Sequence, residues 1–270
     1  MIKEYKVVVW DLDESLGHFV QLGIFIDCLE HALNKKINQQ EFNELCDLYP
    51  EILRTHILHI LHYLKDMKIK KTCNKVFIYT NNNGAKEWTY KIKQYLHNKL
   101  KYKLFDKAIC AYKVNGIQIE SNRTTYDKTR RDLIACTKIP EESSICFIDD
   151  QYHKDMKAKN ISYMHISPYT LIFSIDTMLS RYINKHKIKD IHFYKKMKHL
   201  YNKYKYHQKD KSFHQKKKDK AMGIKILNHI KLFLNGSKKT KKKSIYITII
   251  REKKYNYFNF LFFVFFLFFI

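Results

Sequence analysis

Three short runs of β-branched and aromatic residues, YKVVVW at 5–10, KVFIY at 75–79 and SICFI at 144–148, most constrain what this chain can fold into. Each is apolar at nearly every position rather than at every second one, the pattern of a strand covered on both faces. Helical spacing fills the intervals. Phe19, Leu22, Ile26, Leu29 and Leu33 recur three or four residues apart within a mixed helical stretch from Leu16 to Leu48. Pro50 predicts the opening of a second helix, Glu51 to Lys65, with Leu53, Ile57, Leu61 and Leu64 on its buried face. A helix is expected over Ala85 to Lys99, then a third strand over Lys107 to Tyr112 with a hairpin-like turn at Asn115-Gly116. A helix from Lys128 to Cys136 precedes the strand at 144–148, and Ser162 to Ile166 reads as a final edge strand. Strands alternating with helices predict an α/β fold, a central parallel sheet with helices on both faces.

In such sheets a ligand sits outside the carboxyl ends of the strands. Three of the predicted strands end in polar residues: Trp10 runs into Asp11, Tyr79 into Thr80, and Ile148 into Asp149 and Asp150. A lone aspartate after a strand is most often a turn former. Three such ends at one edge of one sheet make a candidate site.

Read in order, DLDES at 11–15, IYTNN at 78–82, a lysine, and FIDD at 147–150 resemble the four motifs of the haloacid dehalogenase superfamily, over roughly residues 4–170. The sequence Glu14-Ser15-Leu16 is similar to the DLDETL form of the RNA polymerase II carboxy-terminal-domain phosphatases and their relatives, with the serine keeping the hydroxyl of threonine. The resemblance implies a Rossmann-like core within residues 1–184, a small helical cap or flap at 16–49, and Mg²⁺-dependent phosphomonoester hydrolysis through an aspartyl-phosphate.

The residue types suit that chemistry. Asp11 attacks phosphorus and divides one difficult hydrolysis into two displacements, with Asp13 as acid and then base. Two carboxylates beside a phosphate repel it, so a hard cation is needed; Asp11, the backbone carbonyl of Asp13, and Asp149 offer oxygen ligands for Mg²⁺, with Asp150 held through water or one shell further out. The Thr80 hydroxyl and the Asn81 backbone N–H would bind phosphoryl oxygens, and a lysine would neutralise the remaining charge. Lys128 is preferred for that role because it precedes the fourth motif's strand; Lys113 is the alternative.

Only Leu16 to Tyr49 is available for an insertion between the first two motifs, which leaves the site open or lightly capped. That favours a phosphorylated protein as substrate, with a nucleic-acid end or a small metabolite as alternatives. A further alternative is a non-catalytic protein of this fold that binds nucleic acid or membrane. Retention of Asp11, Asp13, Thr80 and Asp149 together argues against it.

Charge and cysteine usage bound the setting. The net charge of +25 is uneven, for residues 185–270 carry 24 Lys and Arg against 4 Asp and Glu. This bias is almost all lysine, as an AT-rich coding source produces. Six cysteines lie far apart without a CxxC pair, and the amino terminus runs straight into a strand, so reduced thiols in a cytoplasmic or nuclear compartment are expected, with no secretory leader. Residues 185–243 form a Lys-rich extension that suits nucleic acid or an anionic membrane, or is simply solvated. Within the apolar segment 244–270, the 16 residues YNYFNFLFFVFFLFFI at 255–270 fall short of the roughly 20 of a membrane span. They suit a tail anchor, with translated low-complexity DNA as the rival explanation.

Other features have ordinary readings. His56, His59 and His62 recur every third residue and drift around a helix instead of sharing the i, i+4 face of a metal site. Trp88, Tyr90 and Tyr95 read as helix packing, and Arg130 and Arg131 as exposed helix charges.

Overall fold

The computed structural model describes residues 4–82, 84–206 and 212–236. The chain divides into two units, Met1–Leu234 and Asn235–Ile270, and the first holds the sheet and the helices around it. Strand β1 (Lys6–Trp10) leads to helices α1 (Val20–Leu33), α2 (Gln39–Leu48) and α3 (Ile57–Ile69), then strand β2 (Lys75–Tyr79), helix α4 (Lys86–Leu100) and strand β3 (Lys107–Ile109). A hairpin of β4 (Lys113–Val114) and β5 (Ile117–Gln118) precedes helix α5 (Arg130–Thr137), strands β6 (Ser144–Asp149) and β7 (Ile161–His165), and helices α6 (Ile175–His186), α7 (Ile191–Lys203) and α8 (Phe213–Asn235).

The five long-range strands form one parallel sheet in the order β3-β2-β1-β6-β7. Val8 pairs with Val76 on one side and with Cys146 on the other, so β1 is central. The chain winds outward from β1 to β3 and then returns to the far side for β6. The crevice above β1 and β6 is therefore the point where the winding reverses, the place where such sheets bind ligands.

Both faces of the sheet are covered, as the apolar runs require. Val8, Trp10, Val76, Ile78, Cys146 and Ile148 pack into a large core with helices α1 to α4 and α6 to α8. Val7, Val9, Phe77, Ile145 and Phe147 face a smaller core with Leu133 and Cys136 of α5. All six cysteines are buried and unpaired.

Several boundaries differ from the sequence reading. The mixed helical stretch from Leu16 to Leu48 resolves into two helices, because Asn34 takes the left-handed conformation and Asn38 starts α2 in a capping box with Glu41. Pro50 opens a single 3₁₀ turn, Pro50–Ile52, instead of a helix. The chain is drawn back there by a bridge between Leu53 and Gly17, and α3 begins only at Ile57. The third strand ends at Ile109, three residues short of Tyr112. The turn at Asn115-Gly116 joins β4 to β5, with φ of 50° and 81°, the paired positive angles of a type I′ turn.

Helices of the lysine-rich region are amphipathic, and their apolar stripes contribute to the main core. Phe193, Met197 and Tyr201 of α7 and Ile226, Ile230 and Leu234 of α8 are buried at four-residue spacing. Lys6 Nζ donates to the Phe233 and Leu234 carbonyls, each at 3.0 Å, and so closes the end of α8 from the start of β1. Among the described residues no helix is long and apolar enough to cross a membrane. The KKTKKK run at 238–243 and the apolar segment 244–270 lie outside the described residues.

Candidate active site

Asp11, Thr80 and Asp149 each stand where a strand stops. Asp11 follows β1, and its N–H still bonds to the Ile148 carbonyl of β6 at 2.9 Å, so the ladder fixes its backbone. Thr80 follows β2 and is tied by its N–H to the Ile109 carbonyl at 2.9 Å. Asp149 is the last residue of β6, with Asp150 next. Lys128 lies two residues before α5, in the approach to the Thr129 N-cap rather than inside a helix as the sequence reading has it. Thr129 caps the helix, and Lys128 reaches across to the sheet.

Lys128 Nζ bridges two carboxylates, 2.5 Å from Asp11 Oδ1 and 2.7 Å from Asp149 Oδ2. All three groups are buried. Lys113, the alternative, lies in β4 with its ammonium over the Tyr112 ring. Burial disfavours charge on Lys128, yet Asp11 and Asp149 outweigh it and hold the ammonium protonated. Burial also pushes the Asp11 carboxyl up to about 7, against the pull of Lys128 and with the like charge of Asp149 adding to the rise. Asp149 is buried too, but Lys128, His153 and the Gln151 N–H hold it below the usual carboxylate range.

Asp11, Asp149 and Asp150 bring one carboxylate oxygen each within 4.8 Å of one another. Lys128 bonds to two of them and leaves the cluster short of positive charge. Oxygen-only donors in that state suit a hard divalent cation such as Mg²⁺. Asp150 is oriented by Ser15, whose Oγ donates to Oδ1 at 3.0 Å while accepting the Asp150 N–H at 3.2 Å. The serine hydroxyl thus joins the first and fourth motifs.

No family model matches the chain, and no curated protein does. Among solved structures, a protein described as a HAD-hydrolase, YfnB from Bacillus subtilis bound to magnesium, is similar over 64% of this chain and 92% of its own, at 14% identity and a TM-score of 0.31.

The Asp13 carboxylate lies outside the Asp11–Asp149–Asp150 cluster. Its Oδ2 accepts a hydrogen bond from Asn82 Nδ2 at 2.6 Å, and its Oδ1 is buried with no hydrogen-bond partner among the described residues. Burial raises its proton affinity, and the Asn82 bond opposes the rise without cancelling it. A carboxyl held in one orientation with a raised proton affinity is suited to give a proton to a departing oxygen. The Thr80 hydroxyl accepts from the Asn82 N–H at 3.0 Å, which leaves its own hydrogen to donate. Asn81 turns its side chain away, its Oδ1 accepting from Arg123 at 2.8 Å.

Two buried arginines that the sequence reading does not single out hold this edge together. Arg123 donates to the carbonyls of Thr80 and Cys110, at 3.1 and 2.9 Å, and to those of Thr125, Tyr126 and Asp127. It thereby fastens the ends of β2 and β3 to the loop that delivers Lys128. Arg54 donates to the Ser15 carbonyl at 2.6 Å, to that of Glu14, and to that of Ser167 at 2.8 Å. Glu14 has a φ of 60°, uncommon outside glycine and asparagine, and the Arg54 bond supports that turn. Gly17 closes the same turn where a Cβ would fall 2.6 Å from the Ile52 carbonyl. His56, His59 and His62 are not part of the acidic cluster.

Proposed function

We propose that this chain is a Mg²⁺-dependent phosphohydrolase of the haloacid dehalogenase type, with Asp11 as nucleophile. The observation that carries it is the cluster at the reversal point of the sheet: Asp11 and Asp149 on one lysine, Asp150 beside them, and Asp13 held apart by Asn82. The order of the four motifs in the chain agrees with it.

Lys128 and the Thr80 hydroxyl bind phosphoryl oxygens and hold phosphorus in line with an Asp11 oxygen. That oxygen bonds to phosphorus as the ester P–O bond breaks, and Asp13 delivers a proton to the leaving oxygen. Asp13, now a carboxylate, takes a proton from water as the water oxygen attacks phosphorus. The Asp11–phosphorus bond breaks, and inorganic phosphate and the free Asp11 carboxylate result. A Mg²⁺ ion held by Asp11, Asp149 and Asp150 would offset phosphoryl charge and keep Asp11 ionised.

The test is phosphate release from acetyl phosphate and simple aryl phosphates by the full chain, with and without Mg²⁺, beside Asp11→Asn. Metal-dependent release that disappears in the variant is the expected result. Equal release from the variant overturns the nucleophile, and a folded protein inactive on every one of these phosphates overturns the reading.

A further inference from the structure

A cleft of about 550 Å³ opens between α1 and α4, with Asp13 and Asn82 among its lining residues. It is therefore lined in part by the residue that protonates the leaving oxygen in the reading above. Whatever the phosphoryl group is attached to must lie on this side, so the chemistry of the walls selects the leaving group.

Part of that lining is apolar. Val20 and Ile24 of α1 and Trp88 of α4 line the cleft, and Phe42 meets the Trp88 ring edge-on, with centroids 5.4 Å apart at 89°, which fixes the ring plane. A flat, immobilised indole beside aliphatic side chains is a surface on which an aromatic ring gains both burial and ring–ring contact.

The charge lining the cleft is opposite to that of the chain. The protein has 51 Lys and Arg against 26 Asp and Glu, yet the described lining residues include Asp13, Asp27, Glu30 and Glu87 and a single basic residue, Lys91. The Lys91 ammonium is committed to the Ile37 carbonyl at 2.5 Å. Glu30 is paired with Lys36, and Asp27 accepts the Tyr204 hydroxyl, while Glu87 is exposed at the start of α4. A leaving group with further phosphates, such as a nucleic-acid end, would meet carboxylates and no uncommitted ammonium.

Resting on the phosphatase reading above, we infer that the substrate is an aryl phosphate ester whose leaving group carries no anionic charge, bound with its ring against Trp88. Phosphotyrosine and a free aryl phosphate share that chemistry.

The experiment compares kcat/KM of the full chain with Mg²⁺ on 2-naphthyl phosphate, a phosphotyrosine peptide without acidic residues, a 5′-phosphorylated oligonucleotide and acetyl phosphate, which has almost no leaving group to bind. An aryl ester preferred at least about tenfold over the oligonucleotide is expected, as is a fall in that preference, carried by KM, in Trp88→Ala. In Glu87→Lys the oligonucleotide should gain on the aryl ester. Preference for naphthyl phosphate over the peptide assigns a small molecule, and the reverse assigns a protein; either supports the inference. Turnover of acetyl phosphate with the oligonucleotide equal or better overturns the inference and leaves the phosphatase reading standing. No turnover of any of the four phosphates removes both.

Discussion

The ammonium of Lys128 stands 2.5 Å from Oδ1 of Asp11, so one contact both offsets the charge of the carboxylate that follows β1 and ties the loop before α5 to the sheet. Lys128 further bonds to Asp149 at 2.7 Å. Removing the lysine leaves buried carboxylates facing one another without a cation, a loss of about 3–5 kcal/mol where one partner of a buried pair is deleted. Lys128→Met should therefore be inactive, and thermal denaturation in chelator should show it markedly less stable than the parent. Mg²⁺ should raise the melting temperature of the variant by more than that of the parent, because the ion supplies the missing positive charge. Equal Mg²⁺ shifts in both proteins would show that the ion does not take over the charge of Lys128, and no shift in either would show that the carboxylates do not bind it.

Arg123 joins the two halves of the site without touching either reacting group. Its guanidinium spans the Thr80 carbonyl, the Asn81 side chain and the loop 125–127 ahead of Lys128. Lysine keeps the charge but lacks the fork needed to reach these acceptors together. Arg123→Lys is expected to lower kcat by about ten- to a hundredfold, the scale of a misplaced catalytic group, with a much smaller change in KM. Steady-state kinetics on an aryl phosphate read the two separately. A variant with unchanged kcat and only a lower melting temperature would assign Arg123 to stability alone.

The extent to which this could be read from sequence follows the range of the interactions. Strands β1, β2 and β6 announce themselves because burial on both faces demands unbroken apolar runs, and Asp11, Thr80 and Asp149 then follow from where those runs stop. The break between α1 and α2 also had a local signal, Asn38 with Glu41 three residues on. The start of α3 had a misleading one: Pro50 favours a helix start, but the pairing of Leu53 with Gly17 holds the chain extended beyond it. Arg123 carries no local mark, since it bonds to carbonyls as far off as Thr80, 43 positions away. In α7 and α8 the four-residue stripe of Phe193, Met197 and Tyr201 and of Ile226, Ile230 and Leu234 is present in the sequence, but lysines crowd it.

The packing of α8 is testable at one atom. A Cβ on Gly223 would stand 2.6 Å from the Thr55 carbonyl oxygen and 3.1 Å from the His56 side chain, so the helix approaches the segment before α3 at backbone distance. Gly223→Ala should push α8 outward and cost about 1–3 kcal/mol, despite alanine's better helix propensity. Urea denaturation should show a lower midpoint for this variant and an unchanged one for Lys225→Ala on the exposed face. A chain ending at Asn184 would lose the buried residues of both α7 and α8, and the same denaturation should find it far less stable than residues 1–236.

Stability should also carry a pH signature away from the active site. His97 is buried in α4, and its Nε2 accepts the Phe105 N–H at 3.0 Å, a bond that requires that nitrogen to be unprotonated. Burial lowers its pKa to about 4, with Lys93, Lys68 and Lys103 adding repulsion and Asp106 partly opposing them. The unfolded histidine titrates near 6.5. Between those values the unfolded chain binds a proton that the folded chain does not, so this group's contribution favours unfolding more and more as pH falls from 6.5 and levels off below 4. The full effect is about 3 kcal/mol. His97→Gln keeps an acceptor for Phe105 and removes the titration. Its unfolding free energy, measured in urea at pH 7.5, 6, 5 and 4, should fall less steeply than the parent's across that window. Parallel curves would mean that His97 takes its proton equally readily in the folded and unfolded chain.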